Sequence, residues 1–385
     1  ARRRQARAGR QRAEQDSAQR SRFLADLGRQ IRAPLTPVLG WSELLLQSPL
    51  SPIQREQVGS LQRAGHHLLR LMDDALDVAS IESGRLQLQG SPFALAPLLH
   101  ELHALQQPAA DSKGLALHWS SSLDARAGFH GDVQRLRQIL LNLLGNAVKF
   151  TTRGQVSLTA CAGPEGRGLV LCVADTGPGM STDQVQRLFQ RYSQAEGAHT
   201  AARHGGSGLG LAISRDLARA MGGDIDVESQ PGRGTQFRLV LPWARALDPT
   251  PASSSPADGC TAQAACSLRV MVLLPSASAV DVVCALLRAQ GHRATGVDTV
   301  ETWLRDVDPG PWDLIAADPD MLVHGARLSA RLPWLWPGVP RLALTPRADA
   351  CAERDARAGG FDLFLRLPVT SARLAAGIAQ CRARA

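Results

Sequence analysis

The sequence predicts a multidomain chain with an α-helical hairpin, a region of mixed strands and helices, and a doubly wound α/β domain. The chain has 385 residues, enough for about two to three domains, and its 44% hydrophobic residues can form ordinary cores. Apolar residues recur at helical spacing before residue 80, whereas strand-like and helix-like stretches mix after about residue 93. A Pro- and Ser-rich stretch over residues 244–266 is predicted to be a flexible linker between two α/β regions.

Two amphipathic helices joined by a short turn form the predicted hairpin, which spans residues 21–90. Pro34 and Pro37 interrupt the first helix and predict a kink. In the turn, Ser51 can cap the second helix and Pro52 suits its first position. The apolar face of such a hairpin needs a partner, so we expect a dimeric four-helix bundle, with packing against the next domain as the open alternative. The apolar positions are Leu24, Leu27, Ile31, Leu35 and Val38 in the first helix, and Leu61, Leu68, Met72 and Leu76 in the second.

Strands and helices alternate in the rest of the chain. Residues 155–160 and 169–174 are predicted strands that flank a Gly-Pro-Glu-Gly turn. Over residues 267–385 the alternation is typical of a doubly wound parallel sheet. The stretches that carry this pattern are 268–274, 280–290, 312–317 and 341–344.

The whole chain carries a net charge of +8, and its basic residues are concentrated at its start. Residues 1–12 hold Arg residues and no acid. A solvated helix start, a cytoplasmic juxtamembrane segment and a nucleic-acid arm all fit this run. We describe residues 1–20 as a basic juxtamembrane-like helix and expect no nucleic-acid partner. Because the chain does not begin with Met, we also expect an upstream membrane or sensor segment, which would make this the cytoplasmic region of an inner-membrane-anchored protein.

The composition argues against several classes of protein. No stretch is long and apolar enough to span a bilayer, and we expect no signal peptide. The 7 cysteines are odd in number and form no C-x-x-C pair, which argues against a zinc site and a disulfide framework. Free thiols fit a reducing cytosol.

Residues 23–35, Phe-Leu-Ala-Asp-Leu-Gly-Arg-Gln-Ile-Arg-Ala-Pro-Leu, resemble the phosphoacceptor box of sensor histidine kinases. We call this segment the acceptor box. In that family it reads roughly F-L-A-x-x-S-H-E-[IL]-R-T-P-L, so the resemblance places the phosphorylated His at Arg29 and its acidic neighbour at Gln30. Unlike an imidazole, a guanidinium stays protonated and offers no nucleophilic nitrogen, and an amide is no general base. We therefore expect no self-phosphorylation at the usual position.

Further clusters follow in the order that this family uses, and we call them the nucleotide boxes. In the first, Asn142, Asn146 and Lys149 recur at helical spacing and share one face of a predicted helix. An amide oxygen can hold Mg²⁺, and a Lys can meet phosphate oxygens. By resemblance, Asn146 is the Mg²⁺ ligand and Phe150 belongs to the same box.

Glycine-rich turns form most of the other nucleotide boxes. Asp175 can accept a hydrogen bond from an exocyclic adenine amine, while Gly177 and Gly179 let the backbone approach the base. A second glycine-rich run leads into a helix start, which presents N–H groups to phosphates. The small polar residues 194–204 suit a mobile lid, residues 188–193 resemble the family's F box, and Thr235 closes the last box. The second run contributes Arg203, Gly206, Gly208, Leu209 and Gly210.

The resemblance covers roughly residues 20–243 and rests on the order and spacing of all these clusters. It implies a two-layer α/β sandwich over residues 93–243 that binds ATP and Mg²⁺. For the hairpin it implies a homodimer or heterodimer, and for the whole chain it implies other two-component signalling proteins as partners.

The C-terminal region resembles the receiver domain of response regulators. Residues 312–321 match the strand that ends in the phosphoacceptor Asp, which falls at Asp318, and Thr345 matches the switch hydroxyl. A receiver's first strand should end in two Mg²⁺-binding acids, but Leu274 and Pro275 stand there. Without the metal, phosphoryl transfer to the Asp loses its main charge neutraliser.

A second departure concerns the Lys that pairs with the phosphorylated Asp in receivers. Leu367 stands at its position, and Arg366 is one residue off and should point elsewhere at a strand end. Asp318 is therefore open to three interpretations: a solvated carboxylate, a phosphotransfer site, or part of a phosphate-independent docking surface.

These observations predict a hybrid sensor histidine kinase fragment with a damaged phosphorelay. The favoured hypothesis is a regulatory member, or pseudokinase, that binds MgATP. The alternative is an active histidine protein kinase that donates phosphate in trans to a partner's His, because nothing in the nucleotide boxes forbids donation.

Overall fold

The computed structural model describes residues 28, 30–84, 86–124, 127–163, 168–191, 208–246, 267–300, 302, 311–324, 338–346 and 350–384. The chain divides into two compact units. One combines residues 1–76 with 257–385, and the other comprises residues 77–256. The predicted basic segment, Arg29 and the predicted linker from residue 247 onward lie outside the described residues.

The hairpin consists of α1 (residues 30–47) and α2 (Pro52–Glu82). The predicted start of α2 is confirmed, because Ser51 Oγ accepts from the Gln54 amide at 3.3 Å and Gln54 Oε1 accepts from the Ser51 amide at 3.0 Å. Helix α1 continues through Pro34 and Pro37. The predicted kink stays a prediction. Several large apolar side chains on the two helices are exposed, namely Val38, Trp41, Leu45, Ile53, Leu61 and Leu68.

The second unit is an α/β sandwich. Its main sheet has the order β2-β4-β5-β7-β6, in which β2 and β4 are parallel and the other pairs are antiparallel. In chain order its elements are β1 (Ser91–Ala94), α3 (Leu95–Asp111), β2 (Ala116–Ser121), β3 (Gly128–Gly131), α4 (Val133–Phe150), β4 (Gln155–Ala162), β5 (Leu169–Asp175), α5 (Thr182–Arg187), α6 (Gly210–Ala220), β6 (Asp224–Gln230), β7 (Gly234–Leu241) and β8 (Arg245–Ala246).

One hydrophobic core joins the sheet to the helices of this sandwich. Alternate residues of β4, such as Val156 and Leu158, are buried, as expected for a strand with one covered face. The buried stripes of α3, α4 and α6 complete the core. Leu140 and Leu143 of α4 and Leu217 of α6 are fully enclosed there.

A small antiparallel sheet, β1-β3-β8, closes one end of the core. The indole of Trp243 meets the ring of Phe93 edge to face at 5.8 Å and lies over Gly131. Strand β8 pairs with β3, so the ordered domain continues past residue 244, the predicted start of the linker. This short strand was not predicted, because its pairing depends on a partner more than a hundred residues away.

The C-terminal α/β domain has a five-stranded parallel sheet in the order β10-β9-β11-β12-β13. One core lies between the sheet and helices α7 and α10, and a second lies on the opposite face against α8 and α9. The predicted doubly wound fold is therefore confirmed. Its elements are β9 (Arg269–Leu273), α7 (Ala277–Ala289), β10 (Arg293–Val297), β11 (Leu314–Ala317), α8 (Pro319–His324), β12 (Arg341–Thr345), α9 (Ala350–Ala358), β13 (Leu363–Arg366) and α10 (Ser371–Arg384).

The described helices include none that is both long and apolar enough to cross a membrane.

We expect Gly131→Ala to destabilise the sandwich, because its new methyl group would lie 2.5 Å from the Trp243 indole. Overpacking of this kind costs about 1–3 kcal/mol. Gly145→Ala is the matched control, since a Cβ at this position of α4 meets nothing within 4 Å among the described residues. The change also replaces a flexible glycine inside a helix. That variant should gain about 0.5–1 kcal/mol. Urea unfolding followed by circular dichroism measures both, and equal midpoints would contradict the packing described for Trp243.

Candidate nucleotide site

Helix α4 provides the polar face of the site. Asp132 caps its start, since Oδ1 accepts from the amides of Gln134 at 3.1 Å and Arg135 at 3.0 Å. The leucine-rich side of the helix is buried, and the half-buried opposite side carries the amide groups of Asn142 and Asn146. The helical spacing predicted for the first nucleotide box is thus present.

Asn142 fixes the position of the next helix. Its Nδ2 donates to Ser214 Oγ of α6 at 2.9 Å, and Ser214 is buried. A Cβ on Gly210 would lie 2.6 Å from Asn142 Oδ1, so only glycine allows the start of α6 to come this close. Sequence reasoning identified Asn142 and Gly210 but not Ser214, which carries no local motif.

The start of α6 is suited to an anion. Leu209 occupies the N-cap position and makes no side-chain cap, and α6 is long enough to carry a helix dipole. Gly208 precedes it with φ of 66°. Arg203 and Gly206, also predicted for this box, lie outside the described residues.

Lys149 lies near the end of α4, where burial lowers the pKa of its ammonium group. Its Nζ is 4.9 Å from the centroid of the Phe150 ring, and Phe150 itself is exposed. The end of the helix is held by Lys113, whose Nζ donates to the carbonyls of Val148 and Lys149, both at 2.7 Å. The sequence did not single out Lys113, because it precedes β2 and reaches α4 only in the folded domain.

Asp175 lies at the end of β5. Burial raises the pKa of its carboxyl, and the amides of Gly177 and Thr235 partly offset that rise. The Gly177 amide donates to Asp175 Oδ1 at 2.8 Å. Nearby, the hydroxyl of Thr151 is fully buried and has no hydrogen-bond partner in the described part of the chain. A Cβ on Gly177 would lie 3.3 Å from that hydroxyl. Thr151 is a functional candidate that sequence reasoning missed.

The loop after Asp175 is tied to the hairpin between β6 and β7. The Met180 amide donates to Ser229 Oγ at 2.8 Å, and that oxygen lies 2.9 Å from Thr235 Oγ1. The Gly232 amide donates to the Pro178 carbonyl at 2.7 Å. The glycine-rich turn after Asp175 and the last nucleotide box, at Thr235, are therefore adjacent. Gly179, with φ of 65°, abuts the carbonyl of Gln230, so no side chain fits there.

The end of α2 contacts the start of α4 within the same unit. Asp77 accepts from Arg135 at 2.7 Å and from Gln138 Nε2 at 2.6 Å. Gln138 shares the polar face of α4 but is used here as a structural link. A hollow of about 590 Å³ lies against α5, α6 and β6, and it is lined by Phe189 and Gln190 of the F box but by none of the residues predicted to bind ATP.

The predicted sites outside this domain differ in what the structure describes. Gln30 is exposed on α1, and Arg29 is outside the described residues. Asp318 follows β11 and is buried rather than solvated, with Oδ1 accepting from the Asp320 amide at 3.0 Å. Thr345 ends the neighbouring strand and is also buried, and Leu274 belongs to the core.

Two stretches of the chain match known families. Residues 19–84 match the family described as His Kinase A (phospho-acceptor) domain. Residues 131–245 match the family described as histidine kinase-, DNA gyrase B-, and HSP90-like ATPase.

Relatives with curated names match about three fifths of the chain. Autoinducer 2 sensor kinase/phosphatase LuxQ of Vibrio parahaemolyticus is 38% identical over 237 residues, which are 60% of this chain and 28% of LuxQ. Sensor protein GacS of Pseudomonas syringae is 41% identical over 231 residues, 59% of this chain and 25% of GacS. Signal transduction histidine-protein kinase BarA of Escherichia coli K12 is 38% identical over 233 residues, 59% of this chain and 25% of BarA. The chain spans about a quarter of the length of these relatives.

A solved structure matches over a longer stretch. Full-length ShkA in complex with AMPPNP is 32% identical, with a TM-score of 0.50, and the match covers 94% of this chain and 72% of the ShkA chain. The chain therefore belongs to the hybrid sensor histidine kinase family, with a His Kinase A hairpin followed by an ATP-binding domain of the histidine kinase type.

Proposed function

We propose that this chain is a regulatory member of its family, which binds MgATP but does not phosphorylate itself in the acceptor box. The single observation that carries this proposal is a contrast. The polar face of α4 and the turn at Asp175 keep the groups that an ATP site needs, whereas Arg29 and Gln30 replace the nucleophile and the base.

The base end of the proposed site is the pair of Asp175 and Thr151. An ionised carboxylate can accept from the exocyclic amine of adenine, and the unpartnered Thr151 hydroxyl offers one more polar contact beside it. Gly177 lies between them and leaves room for the backbone to approach a flat ring. These groups fit an adenine better than they fit an apolar ligand.

The phosphate end of the proposed site is the start of α6, together with Lys149. The helix start offers amide groups and a positive dipole end, and Lys149 adds a charge in the last turn of α4. Asn146 is the proposed Mg²⁺ ligand, because an amide oxygen is a ligand that Mg²⁺ accepts. Mg²⁺ would neutralise phosphate charge there. Asn142 is already engaged with Ser214, so it positions α6.

A second candidate function is donation of phosphate to a histidine of a partner. The residues of the proposed ATP site favour it, since they are those that a phosphate donor requires. The replaced residues, Arg29 and Gln30, stand where the family accepts phosphate.

We further propose that the C-terminal α/β domain is receiver-like and does not take up phosphate in the usual way. Asp318 and Thr345 occupy the expected strand ends, but Leu274 and Leu367 are buried apolar residues where charged groups would hold a metal and a phosphate.

Two further proposals concern assembly and location. The exposed apolar side chains of α1 and α2 favour a dimer through the hairpin, with a second copy or a related kinase as the partner. The basic run in residues 1–12 supports a place beneath the inner membrane, in the cytoplasmic region of an anchored protein. Other two-component signalling proteins are the proposed partners.

Asp175→Asn should separate nucleotide binding from stability. Because the carboxyl pKa is raised on folding, ionisation of this group opposes folding as the pH rises above its ordinary pKa. At pH 7 the nucleotide-free variant should therefore melt at or above the temperature of the unmodified chain. Loss of a charged acceptor should weaken MgATP binding by about tenfold to a hundredfold.

Titration calorimetry and thermal unfolding, each with and without MgATP, measure both effects of Asp175→Asn. Asp183→Asn changes an exposed acid of α5 and serves as the control. Unchanged affinity in the Asp175 variant would count against the assignment of the base end.

Incubation with γ-labelled MgATP tests the proposed function directly. The unmodified chain should take up no label, whereas Arg29→His with Gln30→Glu should gain label that is stable to base and lost in acid, because nucleophile and base are restored. Adding Asn146→Ala should remove that label again. A double variant that binds nucleotide but stays unlabelled would contradict a competent ATP site.

The same incubation, repeated with a related kinase hairpin that carries the family's phosphoacceptor histidine, separates the two candidate functions. Label on that hairpin would identify a donor that acts in trans. Nucleotide binding with no label on either protein would support the regulatory proposal.

Leu61→Asp should weaken the proposed dimer. Burying this exposed leucine in a helix bundle is worth about 1.5–3 kcal/mol, so its loss should raise the dimer dissociation constant at least about tenfold. Leu105→Asp alters a leucine on α3 that is also exposed, and it is the control. Sedimentation over a range of concentrations provides the measurement, and a monomeric unmodified chain would refute the dimer.

A further inference from the structure

We infer that the C-terminal α/β domain docks on the hairpin of its own chain and, without any phosphate, covers the surface next to the acceptor box. The contacts that carry this inference all lie within the unit formed by residues 1–76 and 257–385. They belong to none of the nucleotide boxes, so the inference stands apart from the proposed function.

A shared carboxylate joins the two domains. Asp73 of α2 forms an ion pair with Arg32 of α1, and it also accepts from Arg366 at the end of β13, at 2.7 Å. Arg32 additionally donates to the carbonyl of Pro346, just after β12, at 2.6 Å. The Arg32 side chain is only 4% exposed, so a cation that ordinarily lies in water is enclosed here between two domains.

A second polar contact lies farther along α1. The carboxylate of Glu43 accepts from the backbone amide of Ser371 at 2.9 Å. Ser371 begins α10, so a negative charge on the hairpin meets the positive end of a long helix in the C-terminal domain. This amide is a direct reporter of docking, because its hydrogen-bond acceptor belongs to the other domain.

Apolar packing lies between these polar contacts. Gly40 of α1 leaves space that the side chain of Val282 in α7 fills, and any Cβ at position 40 would overlap that side chain. Leu44 packs against the core of the C-terminal domain. The contact thus combines an apolar centre with charged groups on both sides, as specific interfaces do.

The contact at Arg32 lies within the acceptor box. Arg32 follows Arg29 by three residues in the sequence. The groups that meet it follow β12 and end β13, so the edge of the sheet with Thr345 and Asp318 is turned to the hairpin. A separate protein that exchanged phosphate with the acceptor box would have to approach it within about 3–3.5 Å. The docked domain occupies the surface around Arg32, which belongs to that box.

Arg366 makes this docking independent of phosphate. Leu367 is buried in the core and cannot sense a phosphoryl group on Asp318, while Arg366, on the opposite side of the strand, points out to Asp73. Every group in the contact belongs to the unmodified chain. The damaged receiver-like site and the docking surface therefore share one strand end.

Hydrogen exchange on the full chain tests the docking. Arg366→Asp places a second acid against Asp73, so the amide of Ser371 should exchange roughly tenfold faster and the Leu44 side chain should become more reactive to hydroxyl radicals. Arg357→Asp breaks an equally simple pair with Glu353 in α9 of the same domain and should leave both readouts unchanged.

A variant on the hairpin distinguishes release of the C-terminal domain from its unfolding. Gly40→Leu should release Ser371 and Leu44 while peptides from β9 stay protected. Gly59→Leu in α2 should release neither, because a Cβ there meets the Arg63 side chain and nothing else among the described residues. Equal exchange at Ser371 in Arg366→Asp and Arg357→Asp, or in Gly40→Leu and Gly59→Leu, would overturn the inference.

Discussion

The separation of apolar and polar side chains on helix α4 supports both the core and the candidate site. Its buried leucines seat it against the sheet, and that seating leaves Asn142 and Asn146 on the opposite side. Asp132 fixes where the helix begins, and Lys113 fixes where it ends. The same helix also positions the end of the second glycine-rich run, because Asn142 holds the start of α6 through Ser214. A site of this kind needs little movement of the backbone to bind a ligand, since its supports are made by the fold itself.

Local patterns in the sequence were sufficient to predict much of this arrangement. The helix cap at Ser51, the helical face of the first nucleotide box and the turn at Asp175 depend on residues close in sequence, and each is present in the structure. The missed features depend on distant approaches: Lys113 reaches α4 across thirty-five residues, and Thr151 meets Gly177 only when β4 and β5 pair. Strand β10 was also missed because its short alternating pattern is weak without its neighbour β9.

The end of β9 in the C-terminal domain is apolar. Leu274 lies there in the core and adds buried area, whereas two adjacent acids at such a position would repel each other without a metal. Asp318 remains buried, and its carboxylate accepts from the backbone of α8, which gives it a structural role at the strand end.

The hairpin has one face packed against its own C-terminal domain and another on which apolar side chains such as Leu61 are exposed. Contacts at these two faces depend differently on the concentration of the protein. A contact between two parts of one chain has an effective concentration set by the connecting segment, so it does not change when the protein is diluted. Pairing with a second copy weakens as the total concentration falls. The amount of protein that a cell makes would consequently change how much of the hairpin is paired with a second copy, and would leave docking of the C-terminal domain unaffected.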